Sequence, residues 1–246
     1  MRDLWLVGMG TGSPQHLTFA GQTALREAAL VLIPRKGPGK DDLAQIRLDL
    51  LEFTGTKAQV VPFDMPLRDE TLDYQTRVAR WHDEIAARWQ DALAGVNVKG
   101  PVALMVWGDP TLYDSTLRIA ERLIPKPALR VVPGISAVQA LTAAHAIPFN
   151  TIDGAVIVTT GQRLRAEGLP SQADTVFVML DGKCSFQHVP PDGVSIWWGA
   201  YLGMPEEILI SGPLRDVRTE IVARRAEARA SHGWLMDTYM LRRLCK

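Results

Sequence analysis

Residues 4–14 read Leu4-Trp5-Leu6-Val7-Gly8-Met9-Gly10-Thr11-Gly12-Ser13-Pro14. A short apolar run stops in a glycine-rich turn, and Thr18 follows as a helix cap. Strands buried on both faces carry such continuous apolar runs, which are typical of parallel sheets. The opening therefore reads as strand, turn, helix. The same rhythm continues outward, with strands expected at 30–33 (stopped by Pro34), 59–63, 102–107 and 129–132. Helices are expected at 44–53, 72–94, 115–123 and 136–145. In the long helix, Val78, Trp81, Ile85, Trp89 and Leu93 recur at three- and four-residue steps and form one apolar stripe.

Strands alternating with helices specify α/β units around a largely parallel sheet. The stretch Ile147-Pro148-Phe149-Asn150-Thr151-Ile152-Asp153-Gly154 breaks the alternation and reads as a linker. Beyond it strands are expected at 155–159, 175–180, 194–200 and 208–211. An Ala- and Arg-rich helical tail follows from Arg215, broken at Gly233. The expectation is an α/β protein of two domains, 1–150 and 151–246.

Composition narrows the function classes. The 246 residues hold 27 Lys plus Arg against 27 Asp plus Glu, with 47% hydrophobic residues. A zero balance argues against a partner bound through bulk positive charge, such as nucleic acid. Cys184 and Cys245 have no metal-ligand spacing and read as two reduced thiols. No apolar run approaches the roughly 20 residues of a membrane helix, and the N-terminal apolar stretch is too short for a signal peptide. The expectation is a cytoplasmic protein with no membrane partner and no metal.

Three turns stand out. The first, residues 7–14, lets a ligand approach backbone N–H groups. It fails the dinucleotide fingerprint, because the glycines run GxGxG and the second strand ends Ile33-Pro34-Arg35 without a ribose acid. It fails the Walker pattern as well, since no Lys follows Gly12. The second is Trp107-Gly108-Asp109-Pro110-Thr111-Leu112-Tyr113-Asp114-Ser115, and the third is Val131-Val132-Pro133-Gly134-Ile135-Ser136-Ala137. Each leaves a strand and enters a helix, so all three belong at the carboxyl edge of a sheet, where ligands bind in open α/β folds. Each alone is also explained as a plain turn with a helix cap; the three together are harder to explain that way.

Taken in order with Leu17-Thr18, His145-Ala146-Ile147-Pro148 and Thr175-Val176-Phe177-Val178-Met179, these turns resemble the tetrapyrrole (precorrin and uroporphyrinogen) methyltransferases. The resemblance spans the chain, weakly after residue 200. It implies a two-domain α/β methyltransferase with S-adenosylmethionine in a cleft between domains and S-adenosylhomocysteine as product. It further implies cofactor contacts at Pro14, Trp107, Gly108, Asp109, Leu112, Ser136, Ala137, Met179, Tyr201 and Leu202. Trp107 stands where the uroporphyrinogen branch usually has Gly, which points to the precorrin branch. The segments 63–69, 74–82 and 232–239 resemble the members that methylate precorrin-5 at C-1 and release acetate in aerobic corrin biosynthesis. A homodimer is expected by family analogy alone.

The chemistry asks for little beyond alignment, and no triad or Cys/His cluster is present. Catalytic residues are left unassigned; His16, Asp64 and Tyr113 are acid–base candidates, each also explained as a loop, turn or packing residue. A precorrin carries acetate and propionate carboxylates, which favour Arg and Lys donors. Arg35 and Lys36, in the run Arg35-Lys36-Gly37-Pro38-Gly39-Lys40, are the expected substrate contacts, with a solvated loop as the plain alternative. Of Trp197 and Trp198, strand alternation lets only one face a ligand. Two rival functions remain: a nicotinamide enzyme, disfavoured by the turn spacing, and a non-catalytic tetrapyrrole carrier, which has no need of the Gly108-Asp109-Pro110 and Ser136-Ala137 turns.

Overall fold

The computed structural model describes residues 3–35 and 42–243. They divide into two compact units, the first ending at Ser136 and the second starting at Ala137.

The first unit is a five-stranded parallel sheet in the order β3-β2-β4-β1-β5. Its strands are β1 (Leu4–Gly8), β2 (Leu30–Arg35), β3 (Gln59–Asp64), β4 (Val102–Val106) and β5 (Leu129–Val132). Its helices are α1 (Phe19–Glu27), α2 (Asp42–Thr54), α3 (Tyr74–Ala94) and α4 (Thr116–Ala120). Side chains alternate across each strand. Trp5, Val7, Val31, Ile33, Ala103 and Met105 pack under α1 and α2, together with Leu25, Leu50 and Leu51. Leu4, Leu6, Leu30, Leu32, Leu104 and Val106 pack on the opposite face with Ile85, Trp89 and Ile119 from α3 and α4. This double coverage explains the unbroken apolar runs, each fully buried Leu contributing about 1.5–3 kcal/mol. Thr18 caps α1, its hydroxyl accepting the Gly21 N–H at 3.0 Å. Pro34 does not stop β2, which pairs with β3 as far as Arg35 opposite Asp64. The Arg35 Nε also meets the Asp64 carboxylate at 3.1 Å.

In the second unit the sheet order is β6-β7-β10-β8-β9. Its elements are α5 (Ala137–Ala144), β6 (Val156–Thr160), α6 (Gly161–Glu167), β7 (Thr175–Met179), β8 (Val194–Ala200), β9 (Ile208–Pro213), α7 (Leu214–His232) and β10 (Asp237–Arg243). Two sequence expectations are corrected here. The tail is helical only to His232: Gly233 ends α7 in a left-handed conformation, and residues 237–243 form the central strand of the sheet. The sheet is mixed: β10 runs antiparallel to both β7 and β8, and β8 runs antiparallel to β9. The unit boundary falls at 136–137 rather than at 150, because α5 packs on β8 and β10 and so belongs with the second sheet.

Trp198 is fully buried, with its indole N–H donating to Asp237 at 3.0 Å. Trp197 points to the opposite face, under the Arg242 guanidinium at 5.5 Å. Cys184 is buried with a free thiol, and Cys245 lies outside the described residues. Among the described residues no helix is long and apolar enough to cross a membrane, and no group of His, Cys, Asp and Glu is arranged to hold a metal.

Candidate functional site

The connection leaving β1 runs toward β2, and the connection leaving β4 runs toward β5 on the other side. Adjacent strands whose connections depart in opposite directions create a crevice at their carboxyl ends, the usual ligand position in open α/β sheets. The first two turns meet there. Gly108 N–H donates to the Gly10 carbonyl at 2.7 Å, and Gly10 N–H returns to the Gly108 carbonyl at 3.3 Å.

The third turn closes on the first two. A Cβ on Gly134 would lie 2.1 Å from the Gly108 carbonyl oxygen and 2.8 Å from the Gly8 Cα. Only glycine permits backbone to meet backbone so closely. Asp109 holds the arrangement: one carboxylate oxygen accepts the Gly134 N–H at 2.9 Å, and the other accepts the Thr111 N–H at 2.8 Å and its hydroxyl at 2.5 Å. Burial pushes this carboxyl up, but the bonds from Thr111 and Gly134 outweigh it and hold it below the ordinary carboxylate value. Thr18, the cap of α1, also donates to the Pro133 carbonyl at 3.4 Å.

Of the residues expected to bind cofactor, Pro14, Trp107, Gly108, Asp109, Leu112 and Ser136 lie on these turns of the first unit. Ser136 is buried, and Trp107, Asp109 and Leu112 are half-buried. Ala137, Met179, Tyr201 and Leu202 belong to the second unit. Met179 ends β7 and is half-buried. The Tyr201 side chain is 1% exposed, and its hydroxyl donates to the carbonyls of Trp234 at 2.6 Å and Ala228 at 3.3 Å. Leu202 is buried too. Tyr201 itself has a positive φ of 51°, a conformation uncommon outside glycine.

The acid–base candidates scatter. His16 Nδ1 lies 2.6 Å from the Thr11 hydroxyl, inside the first turn. Asp64 is ion-paired to Arg35 at the carboxyl ends of β3 and β2, and Lys36 lies outside the described residues. Tyr113 is exposed on the second turn with a positive φ of 50°.

One residue at this end of the sheet is absent from the sequence reading. Arg47 of α2 is 7% exposed. Its Nη1 donates to the Leu43 carbonyl at 2.8 Å and its Nε to the Met105 carbonyl of β4 at 3.3 Å. The guanidinium lies 5.4 Å from the Trp107 ring centroid. The signal was readable: Ala44, Arg47, Leu51 and Thr54 recur at helical spacing, which puts an Arg in the buried stripe of α2.

A family model for tetrapyrrole (corrin/porphyrin) methylases matches residues 3–218. Precorrin-6A synthase (deacetylating) of Sinorhizobium sp. is 42% identical to this chain, over 99% of the chain and 96% of its own length. The crystal structure of a cobalamin synthesis related protein (CobF) from Corynebacterium diphtheriae superposes with a TM-score of 0.84 at 35% identity, covering 100% of each chain. Uroporphyrin-III C-methyltransferase from Thermus thermophilus, complexed with S-adenosylhomocysteine, superposes at 0.60 over 97% of this chain and 91% of its own. At 17% identity that likeness speaks for the fold. By the family match and the near full-length relative, the chain belongs to the tetrapyrrole (corrin/porphyrin) methylases.

Proposed function

We propose that the protein methylates precorrin-5 at C-1 with S-adenosylmethionine and releases the extruded two-carbon unit as acetate. The observation that carries this reading is the 42% identity, over 99% of the chain, to a precorrin-6A synthase (deacetylating). S-adenosylmethionine supplies an electrophilic methyl group when bound. The first unit's turns suit such a ligand. The glycine cluster brings main-chain groups to the crevice, Trp107 and Leu112 supply apolar surface, and Asp109 and Ser136 supply polarity.

We place the cofactor contacts at Pro14, Trp107, Gly108, Asp109, Leu112, Ser136, Ala137 and Met179, with the main chain of Tyr201 and Leu202. Asp109 serves chiefly to hold the second and third turns in register, since both of its oxygens already accept bonds from them. What these residues have to accomplish is alignment. A ring carbon of a reduced tetrapyrrole is electron-rich, and holding reacting atoms about 3–3.5 Å apart and in line can lower the barrier by about 7–11 kcal/mol. The substrate carboxylates call for cationic side chains, for which we propose Arg35 and Lys36 as contacts. We also place the protein in the cytoplasm, and propose a homodimer by family analogy.

Incubation with precorrin-5 and methyl-labelled S-adenosylmethionine tests the reading. The expected result is label at C-1 and one acetate released per label. Label at another ring carbon without acetate would assign a different precorrin methylation. Binding of the macrocycle with no label transferred would make the protein a carrier.

A further inference from the structure

We propose that Arg47 is a ligand-binding residue that receives a carboxylate at the carboxyl end of β4. The inference deepens the functional reading above and rests on it for the ligand's identity.

Arg47 occupies a place in α2 where the pattern calls for an apolar side chain, between the buried Ala44 and Leu51. Buried arginines are ordinarily matched to a carboxylate, because an isolated charge is costly to remove from water. Among the described residues none lies within ion-pairing distance of Arg47, although nine other ion pairs occur there. Its described partners are two backbone carbonyls and the face of Trp107. These use two of the five N–H groups a guanidinium carries. Burial pushes its pKa down to about 10, against the opposing pull of Asp114, which is near enough to act on it but not to pair with it.

The position is as specific as the missing partner. The Met105 carbonyl belongs to the penultimate residue of β4, and Trp107 lies between that strand and the Gly108-Asp109-Pro110 turn. The carbonyl bonds fix the guanidinium before any ligand arrives, so little side-chain freedom remains to be lost on binding. The planar fork suits the two oxygens of a carboxylate. Two sources of that group are consistent with the reading: an acetate or propionate arm of the tetrapyrrole, and the amino-acid carboxylate of the cofactor.

The test uses the full chain and the variants Arg47→Gln and Arg47→Lys, with thermal midpoints as the control for folding. Dissociation constants are measured for precorrin-5, by quenching of tryptophan fluorescence, and for S-adenosylhomocysteine and 5′-methylthioadenosine, by titration calorimetry. The last compound keeps the nucleoside and lacks the amino-acid carboxylate. If the carboxylate belongs to the tetrapyrrole, Arg47→Gln weakens precorrin-5 at least tenfold and leaves both nucleosides within twofold. If it belongs to the cofactor, the variant weakens S-adenosylhomocysteine at least tenfold and leaves methylthioadenosine within twofold. Arg47→Lys, which keeps the charge and loses the fork, falls between wild type and Arg47→Gln, and it replaces that variant should Arg47→Gln not fold. All three constants within twofold of wild type, or equal weakening of both nucleosides, overturns the proposal. The functional reading is judged separately on the wild type. If it transfers no label to precorrin-5, that reading fails, and the calorimetric comparison alone decides the role of Arg47.

Discussion

The carboxylate of Asp109 accepts the main-chain N–H of Gly134 at 2.9 Å, tying the turn after β4 to the turn after β5 across β1. The aspartate of the Gly-Asp-Pro triplet thus acts within the protein before it acts on any ligand. Asp109→Ala removes the acceptor for three donors at once. We expect a loss of about 1–3 kcal/mol for the partly buried N–H left behind, read from urea unfolding. A larger proportional fall in turnover is expected, because the turns after β4 and β5 lose their mutual register. Unchanged turnover in the destabilised variant would sink the positional role.

Gly134→Ala is expected to be worse than its size implies. The new methyl would sit 2.1 Å from the Gly108 oxygen, a main-chain atom with no rotamer to give. Overpacking of this kind costs about 1–3 kcal/mol, and here it separates the proposed cofactor turns, so S-adenosylhomocysteine should bind at least tenfold more weakly. Gly182→Ala is the control: nothing lies within 4 Å of its added methyl, and stability should stay within about 0.5 kcal/mol.

Acid should weaken the fold through His82 and His145. Burial lowers the pKa of His82, reinforced by Arg122, Arg118 and Arg68; burial also lowers that of His145, against the Trp198 carbonyl and Glu207. Both are lowered from 6.5, so the unfolded chain binds more protons just below that pH. The stabilisation from neutral imidazoles is complete above about pH 6.5 and declines as pH falls through the folded values. His82 is buried and its Nε2 has no hydrogen-bond partner among the described residues, so no acceptor rewards protonation there. His82→Gln should flatten the decline between about pH 6.5 and 5 in denaturant midpoints; an unaltered slope would assign it elsewhere.

Arg225 and Asp237 form the most buried ion pair among the described residues, at 2.9 Å with side chains 11% and 9% exposed. Asp237 also accepts the Trp198 indole N–H. Arg225→Met leaves the carboxylate uncompensated and should cost about 3–5 kcal/mol. Adding Asp237→Asn, which keeps an acceptor for Trp198, should recover part of that loss. A double variant no better than Arg225→Met alone would show that the charge is not the source of the cost.

How far the molecule could be read from its sequence depended on where the information was local. The first unit was legible because its strands are buried on both faces and its turns are marked by glycine and proline. Gly8, Gly108 and Gly134 announced a close approach, although not that they meet one another. β10 was missed because Asp237-Thr238-Tyr239-Met240-Leu241-Arg242-Arg243 follows a long Arg-rich helix and closes in arginines. Its burial comes from β7 and β8 on either side, which spacing along the chain does not record. Tyr201 was read as a cofactor contact from the family pattern, yet its side chain packs inward because its hydroxyl meets the Trp234 carbonyl. Arg47 was overlooked because an arginine in a helix is ordinarily solvated, and only the stripe it interrupts marks it as buried.

The placement of β10 has a consequence for how the protein is made. The strands of the first sheet lie within residues 4–132, so that sheet has all its members while the ribosome is still working on the rest. The second sheet lacks its middle until residue 243 has emerged, because β7 and β8 pair with β10 and not with each other. Until then both strands present unpaired edges, the kind of surface that invites aggregation. A pause late in translation would therefore expose the second unit while leaving the first unaffected.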